Sequence, residues 1–164
     1  MAKHSAGILL CRKVGKEFEV LLVHPGGPLW ARKDLGAWSI PKGELEEGEE
    51  LLDAARREFA EEMGAYPPAG DYMPLSAAKQ ASGKTVHAFA LESGFNLERF
   101  HSNMFQMEWP PSSGKQQEFP ENDKAAWLPF AAARQKLVKG QVPLLQELAD
   151  RLGVALDDPG KPGH

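Results

Sequence analysis

The stretch from Gly43 to Ala65, GELEEGEELLDAARREFAEEMGA, decides the fold of this 164-residue chain. Its apolar residues recur at steps of three and four positions, namely Leu52, Ala55, Phe59 and Met63. That spacing places them on one face of an α-helix, where they can pack against a sheet. Gly64 follows directly, and glycine is common just past the C-terminus of a helix. We therefore predict a helix over residues 50–63 with one buried face.

Three acidic residues share a second face of this helix. Glu58, Glu61 and Glu62 stand at positions i, i+3 and i+4, so their side chains project from the same side. Like charges at this spacing repel by roughly 0.2–0.5 kcal/mol for each pair, so we expect a cation to offset them. Carboxylate oxygens without nearby histidine or cysteine suit Mg²⁺, with Mn²⁺ as the alternative. The helix therefore indicates metal-assisted chemistry on a phosphate substrate.

A simpler interpretation of the same residues is a solvated charged face. Glutamate-rich helices are common, and Arg56 and Arg57 could serve as ordinary ion-pair partners. This interpretation predicts no metal dependence, so a magnesium titration would separate the two. The residues that surround the helix at fixed spacing favour the metal site.

These residues are Gly43, Glu49, Arg57, Glu58, Glu61, Glu62 and Gly64. They fit the Nudix box, G-x5-E-x7-R-E-U-x-E-E-x-G-U, where U is a bulky aliphatic residue. The chain resembles the Nudix superfamily over about residues 5–153, and the box is the specific part of that resemblance. The two U positions depart from the pattern, because Phe59 is aromatic and Ala65 is small. The resemblance implies an α/β fold, namely an α/β/α sandwich with a mixed central sheet.

The resemblance also implies roles for the residues of the box. Glu58, Glu61 and Glu62 would bind the metal, and Arg57 would hold these carboxylates in place by an ion pair. The backbone carbonyl of Lys42 would be a further metal ligand, and its side chain would contact phosphate. In that family water attacks phosphorus while the cations lower the pKa of the water and neutralise charge on the diphosphate.

A separate carboxylate in a late loop often supplies the base for the attacking water. This chain offers two candidates, Glu118 and Glu121. Glu121 lies six residues before Trp127 and Leu128, which is similar to the late segment of diadenosine tetraphosphate hydrolases within the superfamily. We therefore prefer Glu121 as the base and as an additional metal ligand. The sequence SIPKG at residues 39–43 is similar to the same subgroup.

Further residues could contact the substrate. The aromatic residues that could stack on a base are Trp30, Trp38, Phe105 and Trp109, although such rings are more often packed in a core. The loop cations that could contact phosphate are Arg32, Lys33, Lys79, Lys84 and Lys115, although such cations are usually solvated. From these sets we predict Trp38 and Arg32 as substrate-binding residues, together with Lys42.

Apolar and alternating runs predict the remaining elements. The predicted strands are residues 6–12, 18–24, 38–40, 72–80, 85–92, 104–109 and 125–128. Two helices follow at residues 130–138 and 142–152, and residues 93–122 are expected to be mostly loop around the strand at 104–109. Residues 1–155 would form a single domain, with residues 156–164 as a mobile tail.

Composition narrows the class of protein. A net charge of −4 gives no basic footprint for a phosphate backbone, so we expect no nucleic-acid partner. Cys11 is the single cysteine, which excludes an internal disulfide or a CxxC metal site and agrees with a reducing compartment. No apolar run is long enough for a signal peptide or a membrane span. We therefore expect a cytoplasmic monomer or homodimer whose partner is a small nucleotide-type diphosphate.

These features predict a metal-dependent hydrolase that cleaves the diphosphate linkage of a nucleoside diphosphate joined to another moiety. Dinucleoside polyphosphates and nucleoside triphosphates are the first candidates, ahead of sugar nucleotides and diphosphoinositol compounds. The alternative is a non-catalytic regulatory module that keeps the fold and senses a nucleotide without turnover. Loss of Glu58 or Glu62 would mark such a module, and both residues are present.

Overall fold

The computed structural model describes residues 3–156, without the side chain of Arg99. Within this range the strands are β1 (His4–Val14), β2 (Glu17–Pro25), β3 (Lys42–Glu44), β4 (Met73–Pro74), β5 (Ala78–Lys79), β6 (Thr85–Glu92), β7 (Met104–Glu108), β8 (Gln116–Pro120) and β9 (Asn122–Pro129). The helices are α1 (Leu51–Met63), α2 (Phe130–Lys136) and α3 (Val142–Leu152), with short 3₁₀ turns at Leu97–Arg99 and Lys139–Gln141. No helix in this range is long and apolar enough to cross a membrane.

The central sheet is mixed. Its strand order is β4-β6-β1-β2-β9, with β3 added to β1 and β5 added to β6. β1 runs parallel to β6, whereas it is antiparallel to β2 and β3. β7 and β8 form a separate antiparallel pair. The predicted mixed sheet is therefore confirmed.

Helices cover both faces of this sheet. The side chains of β1 alternate between two cores: Ala6, Ile8 and Leu10 pack with α1, whereas Leu9 and Cys11 pack with α2 and α3. A strand that is buried on both faces has a continuous apolar sequence instead of a polar alternation. The predicted α/β/α sandwich is confirmed, and among the described residues α1 is the α-helix on one face of the sheet.

Two predicted strands are only partly present. The strand expected at residues 38–40 is reduced to two isolated bridges, which pair Trp38 with Leu137 and Ser39 with Val23. No continuous ladder forms, because successive residues pair with different segments of the chain. The strand expected at residues 72–80 is interrupted, so that β4 and β5 have two residues each. Pro74 has no N–H with which to extend the ladder.

Two observed strands were not predicted. β3 lies in the loop ahead of α1, where its three residues pair with β1. β8 lies within the region expected to be loop, and it pairs with β7 over five residues. Neither strand has an apolar pattern of its own, so each depends on its partner: β3 on the distant β1, and β8 on β7, with which it forms a hairpin.

The chain beyond α3 was predicted to be a mobile tail from residue 156. Leu156 packs against the core on the side of α2 and α3, and its carbonyl accepts a hydrogen bond from Arg134 Nη1 at 3.4 Å. Residues 157–164 lie outside the described residues.

Candidate active site

Helix α1 carries the acidic residues and is anchored by its opposite face. Ala55, Phe59 and Met63 are fully buried against the sheet. Gly64 ends the helix with a φ of 83°, a left-handed conformation that glycine adopts readily, and its N–H donates to the Ala60 carbonyl. The anchored face orients the glutamates on the other side toward the loop that precedes the helix.

Arg57 ties several acidic residues together. Its Nε and Nη2 atoms donate to the two carboxylate oxygens of Glu49 at 2.8 and 2.9 Å. Its Nη1 atom lies 2.9 Å from Glu58 Oε1 and 3.2 Å from Glu61 Oε1, and Nη2 also donates to the Glu44 carbonyl at 3.2 Å. A planar guanidinium can serve several acceptors at fixed angles, which an ammonium cannot. The structure therefore contains ion pairs from Arg57 to two of the predicted metal ligands.

Glu49 supports this arrangement from outside the helix. In addition to its two bonds from Arg57, Glu49 Oε1 accepts the Glu46 N–H at 3.0 Å. Hydrogen bonds from Arg57 and from the Glu46 backbone lower the pKa of Glu49 from its usual value to about 2. The ionised Glu49 carboxylate therefore fixes the loop over the start of α1.

Gly43 allows β3 to lie directly against the glutamates. A Cβ atom at this position would lie 2.0 Å from the Glu58 carboxyl carbon, where no atom fits. β3 is held in place by its pairing with β1, where Ala6 lies opposite Gly43. The next residue back, Lys42, donates its backbone N–H to Glu62 Oε2 at 3.0 Å. The backbone of Lys42 thus borders the carboxylates through its N–H.

Glu62 is a half-buried acid at the inner end of this set, beside Lys42 and Asn122. Burial raises the pKa of Glu62 to about 8; the Glu58 charge adds to the rise, whereas Asn122 and Lys42 oppose it. Asn122 is 6% exposed, and its side-chain nitrogen forms no hydrogen bond of normal geometry. Burial also lowers the pKa of the Lys42 ammonium. A carboxylate removed from water is costly to ionise, so this position favours a bound cation.

A row of backbone hydrogen bonds brings Glu121 to the acidic helix. The Asn103 N–H donates to the Glu61 carbonyl at 3.2 Å, the Glu121 N–H donates to the Asn103 carbonyl at 2.8 Å, and the Gly26 N–H donates to the Glu121 carbonyl at 2.8 Å. Burial, and then the negative charge of Glu61, raises the pKa of Glu121. The two carboxylates are therefore close enough to interact.

Glu118, the other predicted base, is not part of this arrangement. It is an exposed residue of β8 and pairs with Gln106 of β7. This position argues against a role as the base, because the backbone hydrogen bonds that bring Glu121 to the acidic helix do not involve β8.

Two cavities open beside these residues. The first, of about 230 Å³, includes Lys42, Glu62 and Asn122 in its lining. The second, of about 280 Å³, is bordered by Glu121 and lined by Trp30 and Phe105. Trp30 lines both cavities and therefore lies between them.

Trp38 and Arg32 do not occupy the predicted substrate-binding positions. Trp38 is 5% exposed, its ring packs edge-on against His24 with centroids 5.3 Å apart, and its Nε1 donates to Asp34 Oδ1 at 2.7 Å. A ring held in the core in this way is not presented to a base, so the structure does not support the role predicted for Trp38. Arg32 is exposed and does not line either of the two cavities.

Trp30 and Asn122 line the cavities beside the acidic residues, and the sequence-based predictions chose neither. Trp30 was one of four candidate aromatic residues, and the signal in its favour was the preceding pair Gly26 and Gly27. Asn122 follows Glu121 directly, so the preference for Glu121 could have drawn attention to it.

His24 joins the loop that carries Trp30 to the start of β9. It is 1% exposed, its Nδ1 lies 2.8 Å from Asp123 Oδ1, and its Nε2 lies 2.5 Å from the Lys33 carbonyl oxygen. Both partners are hydrogen-bond acceptors, and they belong to segments far apart in sequence. This is a structural role, which sets the position of Trp30 relative to Glu121.

The residues present fit a divalent cation. Glu58, Glu61 and Glu62 offer hard oxygen ligands beside the backbone of Lys42. Among residues 3–156, no three acidic, histidine or cysteine side chains converge at coordination distance. Arg57 instead holds Glu58 and Glu61 through its Nη1 atom.

Several solved structures resemble the fold of this chain over most of its length. The NUDIX domain of Shewanella oneidensis NrtR, solved with ADP ribose, has a TM-score of 0.62 at 18% identity and covers 93% of this chain and 89% of that chain. An Ap4A hydrolase of C. elegans in a binary complex has a TM-score of 0.58 at 21% identity, with 93% and 98% covered. At these identities the likeness concerns the fold alone.

Curated relatives match a shorter part of the sequence. The RNA pyrophosphohydrolase of Caulobacter vibrioides is 48% identical over 50 residues, which cover 27% of this chain and 29% of that protein. The RNA pyrophosphohydrolase of a Psychrobacter species is 46% identical over 43 residues, which cover 26% and 25%. The match thus spans less than a third of these relatives.

The family model for the NUDIX domain, in contrast, matches residues 1–148. That range includes the mixed sheet, α1 and all seven fixed residues of the box. The chain therefore belongs to the Nudix family.

Proposed function

We propose that this chain is a metal-dependent hydrolase that cleaves the diphosphate linkage of a nucleotide-type substrate. The observation that carries the proposal is the half-buried Glu62 carboxylate, which accepts the Lys42 N–H at 3.0 Å and lines a cavity. Glu58, Glu61 and Glu62 would hold Mg²⁺ or Mn²⁺ together with the Lys42 carbonyl, and Glu121 would complete the set. This requires Glu58 and Glu61 to turn from Arg57 toward the cleft.

The bound cation would lower the pKa of water and neutralise charge on the diphosphate. Glu121 accepts a proton from the attacking water, the water oxygen forms a bond to phosphorus, and the bond from phosphorus to the bridging oxygen breaks. The Lys42 ammonium, in the same cavity as Glu62, stabilises negative charge on the phosphate that leaves. Arg57 also binds the Glu49 carboxylate and the Glu44 carbonyl, and these contacts fix the helix against the preceding loop.

The substrate would be a nucleoside diphosphate joined to another moiety, with dinucleoside polyphosphates and nucleoside triphosphates as the first candidates. The aromatic cavity bordered by Glu121 supports a nucleoside at one end. The curated relatives are RNA pyrophosphohydrolases, which adds 5′-triphosphorylated RNA to the compounds worth testing. Sugar nucleotides and diphosphoinositol compounds complete the range.

A substrate panel with and without metal tests the proposal. The panel comprises diadenosine tetraphosphate, ATP, ADP-ribose, a sugar nucleotide and a 5′-triphosphorylated oligoribonucleotide, each with Mg²⁺, Mn²⁺ or EDTA. We expect phosphate-containing products from at least one class with a cation, and none in EDTA. Turnover in EDTA would contradict the metal site. No turnover of any compound, combined with tight nucleotide binding, would favour the sensing module.

Glu121→Gln is expected to lower kcat by about 10²–10⁴-fold, which is the usual contribution of a positioned general base. Glu118→Gln should keep wild-type activity, because Glu118 is exposed on β8. The two changes are chemically identical, so each serves as the control for the other in steady-state kinetics at saturating metal. Full activity in both variants would place the base elsewhere.

A further inference from the structure

The cavity bordered by Glu121 has an aromatic lining that the proposed chemistry does not use. The residues that matter for its shape are Gly27, Leu29, Trp30, Phe105, Met107 and Glu121. Its volume of about 280 Å³ is below the roughly 300–1,000 Å³ of sites that enclose a whole drug-sized ligand. The cavity therefore suits one ring system and not an entire nucleotide.

One wall of this cavity is a β-hairpin packed against a glycine loop. Phe105 and Met107 are alternate residues of β7 and therefore point to the same side. Gly27 has a φ of 94°, and a Cβ atom there would lie 2.9 Å from the Cζ atom of Phe105. Phe119 of β8 supports the Phe105 ring, with centroids 6.0 Å apart. The position of the Phe105 ring is thus set before any ligand arrives.

A second wall consists of apolar side chains that remain in contact with solvent. Trp30 is 37% exposed and Leu29 is 58% exposed. Large apolar residues left exposed around a concave site commonly mark a binding surface. The Lys33 ammonium lies over the Trp30 ring, 4.9 Å from its centroid, and limits the movement of the indole. Trp30 and Leu29 therefore provide a preformed surface for a flat ring.

The polar groups of the cavity are few. Among the described residues Glu121 is the only charged side chain in the lining, and its carboxylate also interacts with Glu61. Backbone groups of the loop are partly used already, since the Gly26 N–H donates to Glu121 and the Trp30 N–H donates to Gly27. Strong discrimination between ligands needs buried hydrogen-bond partners, whereas stacking accepts any aromatic base.

We propose that this cavity binds the nucleobase of the substrate by stacking on Trp30 and Phe105, and that it accepts adenine and guanine alike. The inference rests on the proposed function, because the base lies here when its phosphates reach the acidic helix past Glu121. The nucleoside then lies in the cavity lined by Trp30, next to the proposed metal site. Compounds without an aromatic base, such as diphosphoinositols, are then poor ligands.

Binding measured without turnover separates this inference from the hydrolase proposal. Isothermal titration calorimetry of the full chain in EDTA would compare AMP, GMP and ribose 5-phosphate. We expect AMP and GMP to bind within about fivefold of each other, because stacking tolerates either base. Ribose 5-phosphate, which lacks the base, should bind more weakly than AMP by about 5- to 150-fold, the contribution of one stacked base.

Trp30→Leu is expected to weaken AMP binding by the same factor, about 5- to 150-fold. Trp109→Leu, the same change at the tryptophan that follows β7, should leave AMP binding unchanged, and Phe105→Leu provides a second variant should Trp30→Leu fold poorly. Equal AMP binding by the wild type and by both cavity variants would overturn the inference, as would a preference between AMP and GMP above about 100-fold. AMP binding that depends on Trp30 in a chain that cleaves nothing would support the cavity and remove the hydrolase proposal.

Discussion

Glu62→Gln is expected to reduce turnover by about 10³-fold while the fold persists. Removal of one charged ligand forfeits several kcal/mol of transition-state stabilisation, and each tenfold in rate corresponds to about 1.4 kcal/mol. Glutamine has the same shape, and its carbonyl oxygen can still accept the Lys42 N–H, which lies 3.0 Å from Glu62 Oε2. Steady-state kinetics with saturating Mg²⁺ measures the loss, and Glu58→Gln should behave alike.

The same substitution should raise stability at neutral pH. Burial raises the pKa of Glu62 to about 8 in the folded chain, from 4.5 for an ordinary glutamate. Between about pH 5 and pH 8 the folded protein therefore holds a proton that the unfolded chain has lost, so the stability of the wild type falls as the pH rises through this window. Urea unfolding in EDTA should show this fall in the wild type and a flatter profile in Glu62→Gln.

Glu47→Gln is the matched control for both measurements. Glu47 is an exposed glutamate in the turn ahead of α1, so the same chemical change should leave turnover and the pH profile as in the wild type. Wild-type turnover in both Glu62→Gln and Glu58→Gln would remove the metal-site assignment. Loss of cooperative unfolding together with activity would instead assign Glu62 a structural role.

The acidic helix could be predicted because its determinants lie within one segment. The apolar steps and Gly64 predict residues 50–63, and α1 runs from Leu51 to Met63. Helical geometry alone then places Glu58 and Glu61 on the same face, and it places Glu61 within reach of Arg57 one turn away. No information about the rest of the chain is needed for this part of the site.

The sheet could be predicted only where a strand carries its own apolar pattern. β6 (Thr85–Glu92) coincides with its predicted range, because its apolar run is bounded by turn residues. β3 has the sequence Lys-Gly-Glu and becomes a strand only by docking on β1. β8 is polar and mostly exposed, and it pairs with β7 alone. Such strands are determined by the strand they pair with, which outweighs the propensity of their own residues.

The sequence alone could not decide whether Trp30 or Trp38 is available to stack on a substrate. Both lie in the loop between β2 and β3, and both are aromatic residues suited to stacking. Trp38 enters the core beside His24, whereas Trp30 stays at the surface. The difference depends on contacts such as that of His24 with Asp123, which lies 99 positions later in the chain.

Gly43→Ala is expected to lower kcat/KM by about 10²-fold, because the added methyl group does not fit beside Glu58. Its carbon would lie 2.0 Å from both the carboxyl carbon and the Oε2 atom of Glu58. A shift of a catalytic group by about 1 Å costs on the order of 10² in rate. The pairing of Gly43 with Ala6 in β1 resists a movement of β3, so we expect Glu58 to move.

Alanine variants of two other glycines serve as controls, because they distinguish the contact with Glu58 from an effect of backbone strain. Gly94→Ala would meet nothing within 4 Å, so both kcat/KM and stability should stay at the wild-type level. Gly48 has a φ of 78° and likewise nothing within 4 Å, so Gly48→Ala tests strain alone in the loop ahead of α1. It should cost about 1 kcal/mol of stability and leave kcat/KM nearly unchanged. A Gly43→Ala variant as active as Gly94→Ala would show that the close approach to Glu58 is not required.

Gly43→Ala combined with Glu58→Gln distinguishes the two ways in which the methyl group could act. If it only displaces Glu58, the double variant should lose no more activity than Glu58→Gln alone, because both changes then remove the same interaction. If the two losses add, the methyl group has also moved the Lys42 backbone, which precedes Gly43 in β3. Additive losses would therefore show that the methyl group also disturbs the Lys42 backbone or the Glu62 carboxylate bonded to it, since a displaced Glu58 alone cannot produce them.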